Sequence, residues 1–143
     1  MSTSMPLKTL LEQLLTMDGA FVLCNAHGSL EFRGQDFYLS SYQDWLTIYH
    51  STPKNPESQS HLHLKWRTLR TAVVIQEPEK TPYLAFYGTP EATADEPLLI
   101  WYFPSFYDWS NGKTAIPANM ARHAAFVETY GTMLHLVDPP ASS

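Results

Sequence analysis

The chain has 143 residues, 44% of them hydrophobic and 16% charged, with four Trp, eight Tyr and seven Phe. That length suits one domain, residues 1–143 with a core over roughly 7–135, and a net charge of −5 disfavours a nucleic-acid partner, whose phosphates require a basic surface.

Leu7, Leu10, Leu11, Leu14 and Leu15 recur at helical spacing and predict a short amphipathic helix that stops near Gly19. Lys8, Glu12 and Gln13 interrupt this stretch, so it does not read as a signal peptide. No run reaches the ~20 apolar residues that span a bilayer, so no membrane is expected and the cytoplasm is the expected compartment. "GAFVLCNA" and "HGSLEFRG" read as two strands joined by a turn near Asn25 to Gly28. Cys24 is the only cysteine, which excludes an internal disulfide and a cysteine-rich zinc motif, and its apolar surroundings predict a buried thiol. "DFYLSSYQDWLTIYH" alternates at first, while Trp45, Leu46, Ile48 and Tyr49 would also suit a helical turn; its aromatic and β-branched content favours strand.

"STPKNPESQS", residues 51–60, reads as a surface loop. Beyond it "TLRTAVVIQ", "YLAFYG" and "LLIWYFP", joined by turn-rich connections, predict an antiparallel meander. "SFYDWSNGKTA" reads as a loop, and "IPANMARHAAFVETYG" as a helix with Pro117 in its first turn and Gly131 just past its end. The tail, residues 138–143, is expected to be disordered. The class predicted is α+β: an antiparallel sheet flanked by an N-terminal and a C-terminal helix.

"HLHLKW", residues 61–66, carries the most chemistry. As a strand it puts His61, His63 and Lys65 on one face and Leu62, Leu64 and Trp66 on the other, with Trp66 buried. The histidine face meets water or a ligand. A His-x-His pair offers two nitrogens to one ion, but zinc needs a third protein ligand. His27, His50, His123, His135 and the carboxylates offer no diagnostic spacing for it. Haem asks less, because it brings four ligands and needs one or two axial groups, an apolar slot and cations near its propionates. Lys65, Arg67 and Arg70 follow the histidines at once.

The succession "FVLCNAHGSLEFRG", an aromatic segment, "HLHLKWRTLRTAVVIQEP", "YLAFYG" and "LLIWYFP" resembles the HutX/ChuX-type haem-utilisation family, itself related to half of the larger HemS-type proteins. "LEFRG" and "HLHLKWRTLRTAVVI" carry the match, which covers roughly residues 7–135. The resemblance implies a HemS/ChuX-like fold and an intracellular haem carrier or store. It also implies a homodimer whose two halves mimic one larger haem protein, and binding through a histidine or a tyrosine. Carried over, the histidine segment falls on His61 and His63 without choosing between them. The glycine-rich turn often found before that segment is replaced here by "STPKNPESQS".

Tyr107 and Trp109 lie in a loop and suit recognition, which makes Tyr107 a further candidate ligand. His123 shares a helical stripe with Ile116, Met120, Val127 and Tyr130 and reads as packed, as does His135 in "MLHLV". Asp108 and Glu128 are available for acid–base work, but no nucleophile constellation or phosphate-cradling glycine loop is present. Two other functions compete with haem carriage: a non-catalytic interaction domain on the same fold, and a small flavin-type binder or enzyme.

Overall fold

Apolar side chains at helical spacing near the N-terminus, and at a spacing of two through most of the rest, set the architecture. The computed structural model describes residues 2–25, 27–33, 37–49, 60–90, 96–110 and 112–139. The first elements are β1 (Ser2–Pro6), α1 (Leu7–Leu14), β2 (Ala20–Asn25), β3 (Gly28–Arg33), β4 (Tyr38–Tyr42), β5 (Trp45–Tyr49) and β6 (His61–Lys65). A 3-10 turn over Trp66–Thr68 leads into β7 (Thr71–Ile75), β8 (Tyr83–Tyr87), β9 (Leu99–Tyr102), β10 (Tyr107–Asp108) and β11 (Thr114–Ala115). The chain ends with α2 (Pro117–Tyr130) and β12 (Met133–Val137).

Seven strands form one sheet in the order β1-β12-β7-β8-β9-β2-β3; β4-β5-β6 form a second sheet and β10-β11 a ribbon. Among the described strands every pairing is antiparallel except that of β1 with β12.

The expected α+β class, a sheet flanked by a helix near each end, is corrected by this architecture. The described residues are 46% strand and 22% helical, with twelve strands against two helices. Two short segments account for part of the difference. Residues 2–6, which show no apolar alternation, become a strand by pairing with β12, and the expected loop at 105–115 contains the β10–β11 ribbon. Leu7, Leu10, Leu11 and Leu14 of α1 and Phe126 of α2 enter one core cluster with Phe21, Phe86 and Trp101 of the large sheet. Leu46, Ile48, Leu62 and Leu64 of the small sheet join the same cluster.

Register explains which face that is. Val74, Leu84, Trp101, Phe21 and Phe32 line up across five strands, and all belong to the core cluster or pack against it. The adjacent row, Val73, Ala85, Ile100, Val22 and Glu31, points the other way. So does the row Ile75, Tyr83, Tyr102, Ala20 and Arg33. None of these residues is in the core cluster, and Val22, Val73, Ile75, Tyr83, Ile100 and Tyr102 are only half-buried. The large sheet therefore has one packed face and one apolar face that no described element joins to the core.

The helix expected at the C-terminal end is present: Pro117 is its first residue, and Gly131 follows it at φ 82°, a conformation glycine adopts without strain. His123 and Phe126 are its buried residues, while Met120, Val127 and Tyr130 are half-buried. The Cys24 side chain, Ala26 in the expected turn, His50, the expected loop residues 51–59 and tail residues 140–143 lie outside the described residues. No described helix is long and apolar enough to cross a membrane.

Candidate functional site

The β4–β5–β6 sheet is a small grid. Leu39, Leu46, Ile48, Leu62 and Leu64 point inward, and period two sends their neighbours outward. The outward residues align in three rows: Tyr38, Tyr49 and His61; Ser40, Thr47 and His63; Tyr42, Trp45 and Lys65. Rings dominate the surface, with Tyr38 42%, Tyr42 71% and Trp45 40% exposed.

The turn that aligns these rows is strained. Tyr42 pairs with Trp45, leaving Gln43 and Asp44 as a two-residue loop. Gln43 adopts φ 52°, where glycine is preferred. Trp66 and Arg67 hold the loop in place. The Trp66 backbone N–H donates to the Asp44 carbonyl at 3.1 Å, and its indole Nε1–H donates to the Gln43 carbonyl at 3.1 Å. Arg67 Nε donates to Asp44 Oδ1 at 3.1 Å while its guanidinium lies 4.5 Å from the Trp66 ring centroid.

His61 and His63 stand side by side on this face, ring centroids 4.6 Å apart. His61 packs on Tyr49 at 5.2 Å, and the edge of Trp45 approaches His63 at 5.8 Å. Lys65 Nζ lies 5.1 Å from the Trp45 ring centroid, a cation–π contact. Thr47, at the centre of the grid and 8% exposed, lies 2.8 Å through its Oγ1 from His63 Nδ1.

The remaining sequence candidates are placed differently. Trp66 is half-buried against the core, where burial was expected. Arg67 is engaged with Asp44, and Arg70 pairs with Asp138 at 3.6 Å. Lys65 is thus the one of the three cations that stands on the histidine face. Tyr107 belongs to the β10–β11 ribbon, where its ring meets Phe106, Trp109 and the Lys113 ammonium, the last at 4.4 Å from the centroid. None of those contacts reaches the three-stranded sheet. Beside it, hydrogen bonds from the Ser110 backbone N–H and hydroxyl hold the Asp108 carboxyl below the usual carboxylate range.

No protein-family model matches the chain, and a search of curated proteins finds no match either.

Among the described residues no three His, Cys, Asp or Glu side chains gather into a set suited to a bare metal ion. His27 is exposed at the β2–β3 turn and His135 is half-buried on β12. His123 is 7% exposed under Phe103 and Phe106, and its Nε2 has no hydrogen-bond partner among the described residues. Burial pushes its pKa below the ordinary histidine value. Two clefts lie away from the histidine pair. One of about 470 Å³ has Leu7, Lys8, Gln43 and Trp66 in its walls, and one of about 460 Å³ has Glu77, Lys80, Phe106, Tyr107 and Met120.

Sequence reasoning missed Thr47 and the aromatic rows around the histidines. The rows come from "YLSSYQDWLTIY", which folds as two strands, residues 38–42 and 45–49. The two-residue turn between them shifts the phase, and within β5 large apolar or aromatic residues on both faces imitate a helical spacing.

Proposed function

We propose that this chain binds haem on the outer face of the β4–β5–β6 sheet, as a cytoplasmic carrier or store. The observation that carries the proposal is the pair of imidazoles, 4.6 Å apart, standing among exposed rings on one sheet face. A porphyrin is a large apolar plate, and laying it on such rings removes apolar area from water at ~25 cal/mol per Å². Three strands at ~4.8 Å and five residues at ~3.4 Å give a face of roughly 10 by 14 Å, broad enough for that plate.

The face supplies imidazoles and a lysine for haem, with exposed rings in place of an enclosing slot. Haem supplies an iron centre that already holds four nitrogens and accepts an imidazole nitrogen axially. His61 and His63 share a face, so one would hold the iron and the other would pack beside it. Lys65, on the same face as the histidines, would be the cation for a propionate. Arg67 and Arg70 are committed to carboxylates, and Tyr107 stands on a separate ribbon, so these three are left out of the proposed site. The resemblance of "LEFRG" and "HLHLKWRTLRTAVVI" to the haem-utilisation family supports the same reading.

The reading includes a homodimer formed through the unjoined face of the large sheet. Five strands at ~4.8 Å and five residues at ~3.4 Å give a face of roughly 19 by 14 Å before side-chain relief is counted. A second copy laid on the same face covers it on both molecules at once.

Titration of the purified protein with haemin tests the function. The wild type is expected to give a saturable Soret shift. A His61→Ala, His63→Ala double variant that keeps its circular dichroism spectrum is expected to lose at least ten-fold in affinity. A double variant that matches the wild type places the site elsewhere. A wild type without a shift returns the fold to the interaction-domain reading.

A further inference from the structure

We infer that Thr47 is a positioning residue for this site: its hydroxyl accepts the His63 Nδ1–H and so presents the Nε2 lone pair outward. The inference rests on the haem reading for its purpose, but its geometry stands apart from it. Thr47 and His63 are directly opposed in the β5–β6 register. Their Oγ1 and Nδ1 atoms are 2.8 Å apart. Thr47 is 8% exposed at the centre of the grid, whereas His63 is exposed. The anchor is thus shielded from water and the ring it holds is presented to it.

Tautomer chemistry gives this contact its consequence. A neutral imidazole carries one proton, and the nitrogen without it offers the lone pair. A hydroxyl either accepts from Nδ1–H or donates to a bare Nδ1, and the two cases give this contact opposite consequences. With the proton on Nδ1 and donated to Thr47 Oγ1, Nε2 is the nitrogen free to ligate. With the proton on Nε2, the same 2.8 Å contact has the hydroxyl donating, and the outward nitrogen cannot bind a metal. A β-branched threonine has few side-chain rotamers in a strand, so its oxygen is a fixed anchor. Trp45 approaching at 5.8 Å and His61 at 4.6 Å restrict the ring further. His63 is thus the ring this contact orients, with His61 beside it at 4.6 Å.

The decisive measurement is made without haem. Histidine ring ¹⁵N shifts at a pH where the ring is neutral report which nitrogen carries the proton. In the wild type His63 is expected as the Nδ1–H form. In Thr47→Val, which keeps the shape and removes the oxygen, that form is lost, and Thr47→Ser restores it. A proton on Nε2 in the wild type overturns the inference. Haemin titration adds the functional arm. Losing a partner that orients a metal-ligating histidine costs 10–100-fold in affinity. Thr47→Val is therefore expected to bind haemin at least ten-fold more weakly, while Thr47→Ser stays close to the wild type. Equal affinity for Val and wild type overturns the positioning role even if His63 proves to be the ligand. A wild type that does not take haemin removes the haem reading, and the ring shifts still decide what Thr47 does.

Discussion

Gly19 lies just before β2, and a Cβ built there meets the Trp101 ring and the Tyr102 carbonyl oxygen. Trp101 is fully buried and the second obstacle is backbone, so neither moves aside cheaply. Gly19→Ala is expected to destabilise the fold by about 1–3 kcal/mol and to lower the melting temperature by several degrees, read by calorimetry. An unchanged melting temperature would show that the packing there is looser than described. His123 sets a different condition on the same core. Burial lowers its pKa from the ordinary 6.5, so the unfolded chain takes up a proton that the folded chain resists. Stability is therefore kept above about pH 6.5 and declines as pH falls below it. Urea unfolding at pH 7.5 and pH 5 is expected to show this loss, and a smaller loss in His123→Phe. The same slope in both proteins would assign the pH dependence to other groups. At this scale the sequence was legible for His61 and His63, whose shared face follows from alternation. It was silent on Thr47, because the contact crosses 16 positions and hydroxyls carry no periodic signature.

The large sheet shows what a single element can and cannot announce. In "TAVVI", Val73 and Val74 look alike, yet Val74 packs on the core and Val73 does not. Both faces of these strands are apolar, so composition does not say which is covered. If the free face joins two copies, a charge at its centre is intolerable there and harmless in a monomer. Ile100→Lys is expected to keep the circular dichroism spectrum and to shift sedimentation from about twice the 16.3 kDa chain mass to that mass. A wild type that already sediments as one chain refutes the dimer. Alternation and capping residues made β2, β3, β6 to β9 and α2 readable. The β4–β5 hairpin was only half readable, since its two-residue turn resets the phase around Gln43 and Asp44.

Across the whole molecule, the fold closes through its ends. β1 lies parallel to β12, and Thr3 Oγ1 donates to the Tyr130 carbonyl across 127 positions at 2.7 Å. Residues 2–6 are a strand because that partner exists, which is why no local pattern marked them. The same long-range pairing makes the molecule mostly β. Leu7 to Leu14 form a helix from their own spacing, but the eight residues of α1 contribute one apolar stripe to a core built largely by strands. By itself the sequence determined where most strands and both helices run, and that two imidazoles and a lysine share one face. Those are local facts, fixed by backbone periodicity and turn chemistry. The tertiary structure alone decided which strands are neighbours, which face of the large sheet is packed, and that a threonine on the next strand holds one of the two histidines. Those depend on contacts between residues far apart in the chain, and no local spacing encodes the partner.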